Sequence, residues 1–182
     1  MQNNENSNSN KILNYFALVC SIPLFIIFIS YQINPDSTWL TFIYDRTQNI
    51  PSVISLYNPV MTKVMDLYCK LAPLFAIFIF FFLLKRRVTL KTIDRKKLIH
   101  SCIFSPLLYA FCVYFFLCRD FELTTAGRPL KIFAKNDLSL LITYVAIFNV
   151  FIFLTYAVCY VPPLAINLIK KGSTSVLPLV LL

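Results

Sequence analysis

The chain has 182 residues, a formal net charge of +9, and a composition that is 58% hydrophobic and 16% aromatic. So little polar chain remains that a second, soluble domain is excluded, and one compact membrane domain is implied. A strongly basic chain raises nucleic acid as a partner, but here the cations gather at the ends of apolar runs, where a lipid bilayer is the better explanation.

Residues 1–11 are rich in Asn and Ser, carry one Glu and one Lys, and have nothing apolar to bury. They are expected to be a disordered cytoplasmic tail. Four apolar stretches follow, at 12–30, 67–84, 98–118 and 138–161. Each has about the length a helix needs to cross ~30 Å of hydrocarbon. The first is too long for a signal peptide and lacks a small-residue cleavage site before Tyr31, so it reads as an uncleaved helix.

Between the second and third stretches, residues 85–97 (KRRVTLKTIDRKK) set seven cations against one acid. A cluster this close to two membrane ends resists translocation and stays cytoplasmic. The loop at 31–66 sets Arg46 and Lys63 against Asp36, Asp45 and Asp66. The loop at 119–137 sets Arg119, Arg128, Lys131 and Lys135 against Asp120, Glu122 and Asp137. Both are close to neutral and fall on the opposite side. The expected fold is therefore all-α: a polytopic membrane protein with four transmembrane helices, both termini cytoplasmic and two loops facing outward. The membrane domain covers 12–171, and 172–182 form a C-terminal tail. Association into a homo-oligomer is left open.

Enzymatic chemistry finds no support. The six cysteines are scattered without a CxxC, so they read as small buried apolar residues. Cys69 and Cys118 lie nearest the outer interface, where a bridge between them is conceivable. His100 stands alone, without companions for a metal set or a catalytic triad. Glycine occurs twice, at Gly127 and Gly172, so there is no phosphate-cradling loop. No catalytic residue, metal site or cofactor is expected.

Packing between helices cannot use GxxxG, since both glycines lie outside the spans. It is expected to use Ala17, Ala76, Ala110, Ala146 and Ala157. Pro23 and Pro106 should bend their helices, and Pro162–Pro163 should end or redirect the fourth. Asn149, near the centre of a span, is expected to hold a neighbouring helix; its sharper role is to grip an incoming one.

The outer loops carry the unusual sequence. Asn58-Pro59 is a helix start, with Asn at N-cap and Pro at N1. A helix beginning there runs inward past Lys63, Asp66 and Lys70, which share one face, so Asp66 can pair with either lysine. Trp39, Phe42 and Tyr44 have the character of interfacial anchors. The stretch SLYNPVMTKVMDLYCKLAP (55–73) and the stretch FELTTAGRP (121–129), followed by Asn136-Asp137, resemble the immunity proteins of pore-forming colicins of the colicin A type. The likeness extends over most of the chain in span placement and charge pattern. It departs at 172–182 (GSTSVLPLVLL), past the point where the family usually ends.

That resemblance implies an inner-membrane protein, protecting a colicin-producing bacterium from its own toxin by binding the pore-forming domain within the bilayer. The expected toxin-binding residues are Lys63, Asp66, Lys70, Glu122, Thr124, Thr125, Arg128 and Asn149. Asn58, Pro59 and Gly127 are expected to maintain the fold instead. The alternative is a small channel or transporter subunit, which would need a continuous polar path that Asn149 and scattered hydroxyls do not provide.

Overall fold

The computed structural model describes residues 2–84, 95–125 and 127–174. Among these residues seven helices and two very short strands follow in the order α1 (Gln2–Ile33), α2 (Thr38–Arg46), β1 (Val53–Ile54), α3 (Pro59–Cys69), α4 (Ala72–Leu84), α5 (Arg95–Leu117), β2 (Phe121–Glu122), α6 (Arg128–Lys135) and α7 (Asp137–Thr174). Three helical stretches are long and apolar enough to cross a membrane: Asn8–Ile33, Pro59–Leu84 and Asp137–Pro163. A fourth, Ile103–Phe116, is a shorter apolar stretch within α5. The basic residues 85–94 and the tail from 175 onward lie outside the described residues.

α7 is the central helix, in contact with α1, α3, α4, α5 and α6. Its buried residues Leu140, Leu141, Tyr144, Phe148, Phe151, Ile152, Thr155 and Tyr156 recur every three or four positions, forming one stripe. α4 answers with Ala72, Ala76, Ile79, Phe80 and Leu83 at the same spacing. The faces turned away from this seam are just as apolar: Ile22, Ile26, Phe78, Phe81, Leu107 and Phe111 are all exposed. An apolar exterior this extensive is stable against lipid and not against water.

Several expectations need correction. Residues 2–11, expected to be disordered, form the first turns of α1. An existing helix adds one hydrogen bond for each further residue it orders, so it extends into sequence that would not nucleate one. Of the five alanines expected at helix contacts, Ala17 and Ala76 are buried, whereas Ala110, Ala146 and Ala157 face outward. Ala72 takes the close-approach role they were given. The helix expected to begin at Pro59 and run inward past Lys70 is interrupted at Lys70–Leu71. Pro73 explains this, because in a continuous helix its ring would collide with the Cys69 carbonyl and it has no N–H to donate. Tight three-residue turns fill the gap, with Leu71 N–H donating to Tyr68 O and Leu74 N–H to Leu71 O, each at 3.0 Å. Pro162–Pro163 do not end α7, which continues to Thr174. Proline's fixed φ is compatible with a helix, so the pair removes two backbone N–H donors without ending it. The conceivable Cys69–Cys118 bridge is not formed. Cys69 is buried with its thiol toward the Tyr144 carbonyl, Cys118 is exposed, and both are free.

The interruption at Lys70 is packed from behind. Tyr68, Phe75 and Phe148 form an aromatic trio, with Tyr68 stacked on Phe148 at 5.2 Å between ring centroids. Tyr68 also donates its hydroxyl to the Cys20 carbonyl of α1 at 2.7 Å. One ring system thus joins α1, both halves of the broken helix, and α7.

Candidate functional site

The two interhelical connections at one end of the bundle form a single built structure. β1 and β2 pair in parallel, with Val53 opposite Phe121 and Ile54 opposite Glu122. Phe121 N–H donates to Ser52 O at 3.2 Å, Leu123 N–H donates to Ile54 O at 2.9 Å, and Ser52 N–H donates to the Asp120 carboxylate at 2.8 Å. A two-residue ladder is marginal by itself. Three sets of side chains hold this one.

The first set rises from α3. Asn58 is its N-cap and Pro59 its first residue, as the sequence suggests. Lys63 and Asp66 point inward and are 5% and 3% exposed, a burial that ionisable side chains sustain only with partners. Lys63 donates to the Ile50 carbonyl and, at 2.8 Å, to the Ser52 hydroxyl. Lys70, two turns further on, donates to the Pro51 carbonyl and forms an ion pair of 2.9 Å with Asp66. The Val53 backbone N–H also reaches the Asp66 carboxylate. Two ammonium groups and one carboxylate thereby fix residues 50–53, so that 53 and 54 are extended beside β2. Asp66 could have paired with either lysine, and it takes Lys70.

The second set rises from α7 and its neighbour. Tyr144, fully buried, donates its hydroxyl to the Val53 carbonyl at 2.7 Å. Ser55 donates its hydroxyl to the Ala134 carbonyl of α6 at 3.0 Å, and its own N–H goes to the Thr62 hydroxyl at 3.1 Å.

The third is a hub around Asp137, the first residue of α7. A carboxylate suits the positive end of a helix, and both its oxygens are used here. Gln32 of α1 donates to one at 2.7 Å, and the Asn58 side-chain amide donates to the other. Tyr31 of α1 donates to the Asn58 amide oxygen at 3.0 Å. Asn58 thus makes no side-chain cap bond to α3. Its amide joins α1 to α7 instead.

The remaining expected residues are distributed as follows. Glu122 lies on β2, partly exposed, and accepts the Thr124 hydroxyl on its side chain and the Thr125 hydroxyl, at 3.2 Å, on its carbonyl. Glu122, Thr124 and Thr125 therefore form one small turn at the surface. Arg128 opens α6 after Gly127, whose φ of +112° lies in the region that favours glycine. Asn149 belongs elsewhere: it is twelve residues along α7 from Asp137, about 18 Å at the helical rise. It donates to the Ser21 hydroxyl of α1 at 3.2 Å and to the Val145 carbonyl at 2.7 Å. That is the helix-holding role expected of it. Ser52, Asp120, Tyr144, Tyr31 and Gln32 were missed: the first three act where β1 meets β2, and Tyr31 and Gln32 act between helices far apart in the chain.

These features define a helical membrane-type protein whose buried polar groups fix the shape of one end of the bundle. The comparisons with known proteins say which kind. The chain belongs to the colicin immunity protein family, matching it over residues 36–173. It is 43% identical over 167 residues to the colicin-A immunity protein of Citrobacter freundii, a match covering 92% of this chain and 94% of that one. It is 36% identical over 166 residues to the colicin-B immunity protein of Escherichia coli, covering 91% and 95%. No solved structure matches it. Immunity proteins of this family are binding proteins and not enzymes, as the sequence led one to expect.

Proposed function

We propose that this chain resides in the bacterial inner membrane and protects the producing cell by binding the pore-forming domain of a colicin there and keeping its channel from opening. The observation that carries this reading is the 43% identity to the colicin-A immunity protein over nearly the whole of both chains. In this reading the bundle crosses four times, with both termini and the basic 85–97 segment in the cytoplasm. The β1–β2 end faces the periplasm. Reporter fusions after residues 45, 90 and 125 test the orientation: a periplasmic phosphatase should be active at the first and third and silent at the second.

Glu122, Thr124, Thr125 and Arg128 then meet the toxin, on a face held in shape by Lys63, Asp66 and Lys70, while Asn149 keeps α1 against α7. Channel opening under a potential of ~100 mV gains about 2.3 kcal/mol per charge moved. The immunity protein must therefore bind the closed state more tightly by several kcal/mol, since equal affinity for both states would shift nothing. Confinement of both partners to one membrane raises their effective concentration.

The test is killing and potassium efflux in sensitive cells expressing this chain, challenged with several pore-forming colicins and one nuclease colicin. Protection against one or two pore-formers, with the nuclease still lethal, is the expected result. Protection against all of them would mean blocked uptake, and protection against none, with membrane expression confirmed, would overturn the proposal.

A further inference from the structure

Beside the hub at Asp137 lies a groove of about 580 Å³ lined by Phe28, Gln32, Lys135, Asn136, Asp137 and Leu138. Its position is informative. The apolar helical stretches Asn8–Ile33 and Asp137–Pro163 both reach their ends here, so in the membrane reading proposed above, on which this inference rests, the groove lies at the plane where hydrocarbon gives way to headgroups. Its lining changes character across that plane. Phe28 and the exposed Leu138 form an apolar wall on the span side, while Lys135, Asn136 and Gln32 form a polar rim above.

Along the rim and the adjoining face of α6, two lysines, Lys131 and Lys135, stand against one carboxylate, Asp137, an excess of one cation. Asp137 already accepts an amide hydrogen on each oxygen, from Gln32 and Asn58. Lys135 is exposed, as is Lys131 one turn earlier on α6, and neither forms an ion pair among the described residues. Beside the two lysines α6 exposes Ile132 and Phe133, at 70% and 53%, while its Ala134 is buried against the protein. A helix that presents cations together with unburied large apolar side chains, directly at the end of a membrane span, has the character of one lying in the headgroup layer.

We propose that this groove and the adjoining face of α6 bind an anionic phospholipid of the surrounding leaflet. Lys135, with Lys131 beside it, takes the phosphate. The amides of Asn136 and Gln32 face the glycerol oxygens, and an acyl chain runs down Phe28 and Leu138. Such a lipid fixes the depth of α6, and through the Ser55–Ala134 bond it steadies the connection between β1 and α3. The proposal is independent of which colicin, if any, the protein neutralises.

The test uses the full chain in nanodiscs containing a trace of phosphatidylglycerol with a photoactivatable group on its acyl chain, with labelled peptides mapped by mass spectrometry. Label should appear in peptides holding Phe28–Gln32 and Lys135–Leu138, and unlabelled phosphatidylglycerol should displace it, while phosphatidylcholine and soluble glycerol phosphate should not. The double variant K131Q/K135Q, with helicity verified by circular dichroism, should lose that label several-fold. K131R/K135R should retain it, and R86Q/R87Q, at the basic segment, should leave it unchanged. Equal labelling by a phosphatidylcholine probe, or labelling indifferent to K131Q/K135Q, would overturn the proposal. Displacement by glycerol phosphate would replace the lipid with a soluble anion and overturn it equally.

Discussion

The ammonium of Lys63 lies 2.8 Å from the hydroxyl of Ser52, eleven residues earlier in the chain, in a site with almost no solvent. A lysine points inward there because a loop without secondary structure of its own must place carbonyl oxygens somewhere. Ile50 and Pro51 direct theirs at the ammonium groups of Lys63 and Lys70. The loop is held by α3 as a shelf is held by two brackets.

Removing the first bracket should release the loop. Lys63→Met keeps the apolar stem of the side chain but leaves the Ile50 carbonyl and the Ser52 hydroxyl without their donor. An unsatisfied buried group costs about 1–3 kcal/mol. Trypsin should then cut after Arg46, just before the loop, several times faster than in the parent protein. Unfolding in mixed SDS micelles should shift by a matching amount, and protection against colicin should fall. Unchanged cleavage at Arg46 would show that Lys63 does not hold the loop.

The strand register makes a geometric prediction. Ile54 and Glu122 are opposed across β1 and β2, and neighbouring strands lie about 4.8 Å apart, inside the range a disulfide spans. In a background with the native cysteines replaced by alanine, Ile54→Cys with Glu122→Cys should cross-link under mild oxidation. Ile54→Cys with Thr125→Cys should not. If the two pairs cross-link equally, the two connections are not held in a defined register.

How far the sequence foretold this follows from the range of each signal. Apolar length is additive along the chain, so the apolar stretches could be read directly, as could the helix start at Asn58-Pro59. The break at Lys70 was not read from the sequence although Pro73 stands in plain view, because a proline can bend a helix from within or mark the first turn of one. The shared face of Lys63, Asp66 and Lys70 was legible from helical spacing. Its target was not, since nothing local announces that residues 50–52 fold back over α3. The β1–β2 ladder joins positions 68 apart through two residues each. No periodicity can be detected in so short a strand. The same holds for Asn58, whose capping role was inferred from neighbours in sequence, while its actual partners, Tyr31 and Asp137, come from α1 and α7.

Gly127 should prove important for backbone reasons alone. A Cβ placed there would meet nothing within 4 Å, yet φ is +112°. Strain of this kind costs about 1–3 kcal/mol. Gly127→Ala and Gly127→Leu should therefore destabilise the protein by similar amounts, since the penalty belongs to the backbone and not to side-chain size. A much larger loss for leucine, in the same micellar unfolding measurement, would mean that hidden contacts crowd the site.

Asn149 supplies the sharpest contrast between holding the fold and recognising a toxin. Its amide donates to the Ser21 hydroxyl and to its own helix at Val145, and Ser21 in turn donates to the Ala17 carbonyl at 2.8 Å. Asn149→Ala removes one bond between α1 and α7 but leaves Ser21 satisfied, so no buried donor is orphaned. Hydrogen bonds between membrane helices measure about 0.6 kcal/mol on average. The variant should lose roughly that much stability and retain protection against colicin within a few-fold of the parent. Loss of protection with stability intact would assign Asn149 to recognition, because a group that only joins two helices cannot affect immunity without affecting how firmly they are joined.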